Sequence, residues 1–308
     1  MEPVHASQTR ISRADARLRV AAAQRLVEAS ARGDRSAGQR FLRDAGAFGI
    51  DTAGLWAMTD PSSTYSVRHA YLGVPGAGMT LTIFVSPLHE ECEVPDLAQL
   101  IDEATSIEGK DRLAQVLLEP GDTKILNAFL AARFQRVADL AYLSRPRPGP
   151  QFSSPDSWGD GITVRKWRPG DDQTIAEALE RTYEGTLDCP DLCGMRDPHD
   201  VVASHRATGV FDPNLWWLVD YRGSCEGVLL FNPCPAQSTV ELVYIGLAPA
   251  LRGRGLSRKL MELGLSAISG RLEREVSCAV DLRNRPALRL YESFGFKETS
   301  RRIALVRA

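Results

Sequence analysis

Long apolar segments are absent from this chain of 308 residues, although hydrophobic residues make up 44% of it. No run reaches the roughly 18 consecutive apolar residues that a membrane-spanning helix needs. The N-terminus is rich in arginine but lacks the apolar core of a secretory signal. Asp15 and Glu28 argue against a mitochondrial presequence, because such segments are poor in acidic residues. We therefore expect a cytoplasmic protein without a membrane segment.

Cysteine and net charge are also scarce. Cys189 and Cys193, near His199 and His205, match no common zinc spacing, so no metal site is expected. A net charge of −2 gives no general attraction to nucleic acid or to anionic membranes, and the oligomeric state is left open. No CxxC pair occurs, which indicates reduced thiols. The six cysteines are Cys92, Cys189, Cys193, Cys225, Cys234 and Cys278.

One segment rich in proline, glycine and serine divides the chain. Residues 145–161 read RPRPGPQFSSPDSWGDG, a composition that excludes a regular element. The sequence thus predicts a domain over residues 1–145, a linker over 146–160 and a second domain over 161–308. Alternating helix and strand patterns predict an α/β fold with a mixed sheet in both halves. The end of the first half weakly repeats the end of the second, as a degenerate internal duplication would.

The most informative segment is the turn Arg252–Ser257, with the sequence RGRGLS. It joins a predicted strand over 239–247 to a predicted helix over 256–268. Its two glycines permit positive φ and a close approach of a ligand. Free N–H groups at the start of a helix, beside arginines, favour a phosphate or pyrophosphate. The glycine-rich segment 73–78 lies between two predicted strands, so it is interpreted as a hairpin connection.

This turn resembles the Arg/Gln-x-x-Gly-x-Gly/Ala loop of the GNAT acyltransferases, with Ser257 where that family usually has glycine or alanine. Asn284, followed by Ala287, Leu290-Tyr291 and Gly295-Phe296, resembles the second motif of the same family. The resemblance covers about residues 162–306 and reaches the first half only as a faint duplicate. It implies two GNAT-like domains in tandem, of which the first is degenerate.

The resemblance implies acetyl-CoA as the donor of an acetyl group. Backbone groups of Ile245, Gly246 and Leu247 would pair with the pantetheine arm as an added strand does. Asn284 would contact the same arm. The pyrophosphate would be held by the N–H groups of Arg252, Gly253, Arg254, Gly255, Leu256, Ser257 and Arg258.

Two side chains are expected to move protons. Tyr291 matches the family's usual acid, whose hydroxyl protonates the leaving thiolate, although it could instead be a packing aromatic. Period-2 alternation places Glu241 on one face with Val243, Ile245 and Leu247. An apolar face would raise the pKa of this carboxyl group and suit it to act as a base. The alternative for Glu241 is a surface glutamate at a strand end.

The segment ELVYIGLAP, which begins at Glu241, is also similar to the mycothiol synthases, tandem GNAT proteins that acetylate a cysteinyl amine. The matching glutamate is the base there, which supports Glu241 in that role. Those proteins have an aromatic residue where this chain has Ala279, which argues against a mycothiol precursor as the acceptor.

Recognition of the acceptor is expected from the irregular stretch Tyr183–Arg196, with Trp216 and Trp217 as further candidates. Three acidic residues would suit a cationic amine, although a solvated loop explains them equally well. These residues are Glu184, Asp188 and Asp191.

The predicted function is direct transfer of acetyl from acetyl-CoA to a primary amine of a small molecule, in a ternary complex. No cysteine stands where a covalent intermediate would need a nucleophile. Two alternatives remain at this point: a sensor of acetyl-CoA or CoA that regulates a partner, and an acetyltransferase for protein N-termini or lysines.

Overall fold

The computed structural model describes residues 10–60 and 63–308, which fall into two compact units. The first unit runs to Arg136 and also contains Ala304–Ala308, and the second is Val137–Ile303. The division thus lies ahead of the segment 146–160 that was expected to be the linker. The physical reason is strand pairing, because Leu140–Pro146 pair antiparallel with Glu275–Asp281 inside the second unit.

The first unit is a mixed sheet with helices on both faces. Its elements are β1 (Arg10–Arg13), α1 (Arg19–Leu26), α2 (Glu28–Ala31), α3 (Ala37–Asp44), β2 (Leu55–Asp60), β3 (Ser63–Gly76), β4 (Thr80–Val85), α4 (Val94–Glu108), β5 (Leu113–Leu118) and α5 (Thr123–Ala131). The strands follow the order β1-β2-β3-β4-β5, and only β4 and β5 are parallel. Ala22 of α1 packs with Leu72 of β3 on one face. Tyr71, the preceding residue of β3, serves the other face, where its hydroxyl accepts a hydrogen bond from Thr105 of α4 (3.3 Å).

The spacing of apolar residues over 14–32 predicts one continuous helix, but the helix begins later and is interrupted. Asp15 Oδ1 accepts the backbone N–H groups of Arg17 (2.9 Å) and Leu18 (3.1 Å), which forms a turn ahead of α1. Aspartate competes in this way with the helical hydrogen-bond pattern. Val27 then separates α1 from α2. Sequence periodicity shows the apolar stripe but misses these local breaks.

The second unit contains the predicted strand 239–247 and the predicted helix 256–268 within an alternation of strands and helices. Its elements are β6 (Gln135–Pro146), β7 (Ile162–Lys166), α6 (Asp172–Tyr183), α7 (Pro198–Ala207), β8 (Trp216–Tyr221), β9 (Ser224–Cys234), β10 (Thr239–Leu247), α8 (Leu256–Ile268), β11 (Glu275–Asp281), α9 (Arg285–Ser293) and β12 (Lys297–Arg307), whose last residues belong to the first unit. The order is β12-β6-β11-β10-β9-β8-β7, with β10 and β11 parallel. The predicted mixed α/β sheet is confirmed. No helix in the described ranges is long and apolar enough to cross a membrane.

Helices cover both faces of this second sheet. Leu260 and Leu265 of α8 pack against Phe231 of β9 on one face. On the other face, Leu179 of α6 packs against Trp216 of β8. Burial on both faces explains why the central strands β9 and β10 are mostly apolar. The same packing holds the ends of these strands in place, and the candidate site lies at those ends.

Gly264 lets α8 approach the sheet closely. A methyl group at this position would overlap the ring of Phe231, which is fully buried. Overpacking of this kind costs about 1–3 kcal/mol, which exceeds the gain in helix propensity of up to about 1 kcal/mol. We therefore expect Gly264→Ala to lower the free energy of unfolding, measured by urea denaturation.

Gly270→Ala is the matched control, because a methyl group there meets nothing within 4 Å. Its unfolding free energy should stay within about 0.5 kcal/mol of the parent. A Gly264→Ala protein as stable as the parent would contradict this description of the packing.

Candidate active site

The candidate site opens where β10 and β11 part. These parallel strands pair over only three residue pairs, which end at Glu241 and Ser277. Beyond that point lies a cavity of about 420 Å³, which we call the β10–β11 cleft. Its walls come from β10, the turn before α8, the start of α9 and the loop after α6. A cleft of this size suits a small-molecule ligand.

A β-bulge in β10 decides which side chains point to which face. The pairing of β10 with β9 shifts between Leu242 and Tyr244. Leu242 and Ile245 therefore both pack on the α8 side of the sheet, whereas Tyr244 packs on the α6 and α7 side. The prediction that Glu241 shares a face with Ile245 and Leu247 is wrong, because the extra residue reverses the alternation.

Glu241 stands at the vertex of the cleft, as the last residue of β10 that pairs with β11. It is half-buried, and burial raises the pKa of its carboxyl group. The thiol of Cys234 donates to Oε2 across 4.0 Å. The lining of the cleft begins at the next residue, Leu242. The predicted rise in pKa is confirmed, and the role of Glu241 as a base stays a prediction.

Tyr291 lines the cleft from α9. The residue is 5% exposed, and burial raises the pKa of its hydroxyl well above the usual range. Its ring packs against Phe296, with the ring centroids 5.8 Å apart. A phenol with a raised pKa stays protonated at neutral pH, so Tyr291 can supply a proton inside the cleft.

The turn before α8 has the geometry of an anion site. Gly253 and Gly255 adopt φ of 74° and 72°, and α8 begins directly afterwards at Leu256. The backbone N–H groups from Gly253 to Ser257 have no backbone acceptor among the described residues. They lie at the positive end of the helix dipole, where a phosphate is stabilised. The glycines are needed for their φ angles, since a methyl group at either would meet nothing within 4 Å.

Arg252 holds the wall of the cleft together. Its guanidinium donates to the carbonyl oxygens of Leu247 (2.9 Å), Thr182 (2.9 Å) and Gly185 (3.3 Å). Its backbone N–H donates to Pro249 (3.2 Å). The end of β10 is thereby tied to the end of α6. Direct contact of Arg252 with a cofactor stays a prediction.

Arg254 of the turn and Arg258 of α8 lie over aromatic rings. The guanidinium of Arg254 lies 5.2 Å from the ring centre of Tyr221, and that of Arg258 lies 5.0 Å from the ring centre of Phe294. Both residues are exposed, so they keep positive charge at the mouth of the turn.

Asn284 also lines the cleft, but its side chain already has partners. Its Oδ1 accepts the backbone N–H of Ala287 (3.2 Å) and so caps α9. Its side chain is also hydrogen-bonded to the carboxylate of Asp188. These contacts fix the orientation of Asn284 in the cleft wall, and its predicted contact with the pantetheine arm stays a prediction.

Of the three acidic residues that the sequence suggests for acceptor recognition, Asp188 is the one that the structure places in the cleft wall. It lines the cleft from the loop after α6, and its Oδ1 accepts the backbone N–H of Asp281 (3.0 Å). Burial raises the pKa of its carboxyl group. The only sequence signal was an acidic residue in a long irregular stretch. Trp216 and Trp217, also expected near the acceptor, are core residues instead, at 0% and 3% exposure.

The first unit repeats the parting of two parallel strands. β4 and β5 pair over Thr80–Thr82 and Leu113–Gln115, and beyond them lies a cavity of about 320 Å³. At this vertex Gln115 Nε2 donates to the hydroxyl of Thr82 (3.2 Å). Thr82 therefore stands at the position that corresponds to Glu241 in the second unit. The topology is repeated, but the carboxylate is not.

The first unit also has a different helix start. Ahead of α4, Glu93 Oε2 accepts the backbone N–H groups of His89 (2.7 Å) and Glu90 (2.9 Å). Glu90 and Glu93 thus form a capping box, in which carboxylates of the chain itself accept N–H groups at this helix start. The glycine-rich segment 73–78 lies at the β3–β4 hairpin, as predicted.

Comparison with known proteins agrees with this geometry. Residues 179–296 match the model of the acetyltransferase (GNAT) family. The matched residues lie within the second unit.

The curated relatives include mycothiol acetyltransferases. The protein of that name from Thermomonospora curvata is 34% identical over 182 residues, which cover 57% of this chain and 58% of that protein. The one from Kineococcus radiotolerans is 31% identical, over 58% of this chain and 57% of that protein. The chain therefore spans little more than half the length of the curated relatives that it matches.

Solved structures resemble the chain over almost its whole length. A GCN5-related N-acetyltransferase from Sphaerobacter thermophilus has a TM-score of 0.58 at 20% identity and covers 97% of this chain and 95% of its own. A tandem GNAT protein from the clavulanic acid biosynthesis pathway has a TM-score of 0.54 at 14% identity and covers 97% of this chain and 98% of its own. At these identities the likenesses show the fold alone, and that fold agrees with two domains in tandem.

Replacing Arg252 tests its role in the cleft wall. Arg252→Gln loses hydrogen bonds to three carbonyl groups, of which two bonds are solvent-exposed. We expect the free energy of unfolding to fall by about 1 kcal/mol, measured by urea denaturation. Arg289→Gln, at an exposed arginine of α9 outside the cleft, should change it by less than about 0.5 kcal/mol. Equal losses in the two variants would show that Arg252 does not stabilise the wall.

Proposed function

We propose that this chain transfers the acetyl group of acetyl-CoA to a primary amine of a small molecule. The observation that carries the proposal is the meeting of three features at one cleft. These are a proton donor (Tyr291), a carboxylate with a raised pKa at the vertex (Glu241) and an anion-binding helix start (Gly253–Ser257). The match of residues 179–296 to the acetyltransferase (GNAT) family supports the same chemistry.

The donor fits the cleft in an extended form. Beyond Glu241, the edge of β10 that faces β11 is no longer paired, so Ile245, Gly246 and Leu247 present backbone groups to a ligand. The amides of a pantetheine arm bind such an edge as an added strand does. The pyrophosphate then lies at the N–H groups of Gly253–Ser257, where the helix dipole favours negative charge.

The reaction that follows is direct transfer in a ternary complex. Glu241 accepts a proton from the acceptor amine, directly or through water, and the nitrogen attacks the thioester carbonyl. The carbon–sulfur bond breaks, and Tyr291 protonates the leaving sulfur. The products are the N-acetylated amine and CoA. A covalent route through Cys278 is disfavoured, because burial raises the pKa of its thiol and keeps it protonated.

The acceptor is a small amine other than a mycothiol precursor. The relatives named mycothiol acetyltransferase match this chain over 58% and 57% of their own length. Ala279 of β11 lines the cleft. The resemblance to the mycothiol synthases implies an aromatic residue at this position in those proteins. A methyl group there leaves a differently shaped acceptor site.

A panel of small primary amines with acetyl-CoA tests this function, with released CoA measured as free thiol. We expect amine-dependent CoA release, with equimolar N-acetylated product found by mass spectrometry. Tight binding of acetyl-CoA without release for any amine would overturn the proposal and favour a sensor of acetyl-CoA. Release only with peptides would favour a protein acetyltransferase.

The two proton-transfer residues give separate kinetic signatures. Tyr291→Phe should lower kcat about 100-fold or more, because general acid catalysis contributes about 10²–10⁴-fold.

Since burial raises the pKa of Glu241, activity should fall as the pH drops through a value above the usual glutamate pKa of about 4.3. Glu241→Gln should lower kcat/KM and remove this acidic limb. Tyr221→Phe is the control for Tyr291→Phe, and Glu275→Gln is the control for Glu241→Gln. A pH profile of Glu241→Gln equal to that of the parent protein would exclude Glu241 as the base.

A further inference from the structure

The charge inside the β10–β11 cleft is unevenly balanced. Among the described residues that line it, Asp188 and Arg252 are the charged ones. The guanidinium of Arg252 is already bonded to three backbone carbonyl groups. A ligand in the cleft therefore meets the Asp188 carboxylate and a cation that is already engaged, while the Glu241 carboxylate stands at the vertex, next to the lining.

The Asp188 carboxylate is held firmly in place. Its Oδ1 accepts the N–H of Asp281 (3.0 Å), and Asn284 also donates to it. Asp281 is fully buried and in turn accepts from the backbone N–H of Cys189 (3.2 Å) and from Arg283 Nε (3.0 Å to Oδ2). The loop after α6 is thereby fixed to the end of β11. A carboxylate positioned in this way loses little entropy when it binds a cation.

The other acidic residues of the same loop have different surroundings. Glu184 is exposed and does not line the cleft. Asp191 is exposed and pairs with Arg283 Nη1 at 2.8 Å. Of the three acidic residues of this loop, Asp188 is thus the one whose carboxylate lines the cleft.

We propose that Asp188 selects the acceptor by binding a positively charged group of the amine substrate. Cationic amines such as diamines are then the substrate class, and amines that carry a carboxylate are disfavoured. A carboxylate-bearing acceptor would place like charges together in a half-buried site, which is costly. This inference rests on the proposed function, because donor and acceptor must share the cleft.

Three acceptors of similar length and different charge test the inference: 1,3-diaminopropane, 3-aminopropanol and β-alanine. For the parent protein we expect kcat/KM to be highest for the diamine and lowest for β-alanine. Asp188→Asn should raise KM for the diamine about tenfold or more and reduce its advantage over the amino alcohol to less than about twofold. KM for acetyl-CoA should change little.

Two further variants separate recognition from a structural role. Asp188→Glu keeps the charge and should restore part of the preference for the diamine. Asp191→Asn removes a charge from the same loop outside the cleft and should leave the ranking of acceptors unchanged. A merely structural role for Asp188 would lower the rates for all three acceptors equally, which would overturn the inference.

The outcomes distinguish the two proposals. If the parent acetylates amines without a charge ranking, or if Asp188→Asn keeps that ranking, the inference fails and the proposed function stands. If no amine is acetylated, the proposed function fails, and calorimetric titration of 1,3-diaminopropane into the CoA-loaded protein decides the role of Asp188. A Kd at least about tenfold lower for the parent than for Asp188→Asn supports it, and equal or undetectable binding overturns it.

Discussion

The early end of the pairing between β10 and β11 is the constraint on which the rest of the second unit depends. Three residue pairs join these strands, and after Glu241 and Ser277 the strands separate. The separation leaves one edge of β10 without a partner strand and opens the cleft. The helices on both faces of the sheet keep the strands in this arrangement, because each face is fully packed. A ligand with amide groups can take the place of the missing strand pair.

Opposite charges are assigned to different parts of this cleft. The start of α8 offers free N–H groups and a positive helix end, which suits the phosphates of a donor. The loop after α6 offers the carboxylate of Asp188, which suits a cationic acceptor. Arg252 lies between them and ties the two walls together through backbone carbonyl groups. The two ends of the cleft therefore differ in the charge that they present.

The two units show that the same topology can carry different chemistry. Both contain a parallel strand pair that parts after three residue pairs. In the first unit Thr82 and Gln115 close the vertex with a side-chain hydrogen bond, and Glu93 occupies the N–H groups ahead of α4. In the second unit Glu241 stands at the vertex, and glycines leave the N–H groups free. A few side chains at strand ends and helix starts therefore distinguish the clefts of the two units.

The order of helices and strands, the glycine turn before α8 and the position of Tyr291 could be predicted from the sequence, because each depends on local patterns and motifs. The tertiary structure alone decided the face of Glu241, since one bulged residue reverses an alternation that periodicity assumes to be regular. It also decided that Asp188 enters the cleft, whereas Asp191 pairs with Arg283. The division at Arg136 depends likewise on pairing between residues far apart in the chain. Contacts of this range arise only when the chain has folded, so no local pattern encodes them.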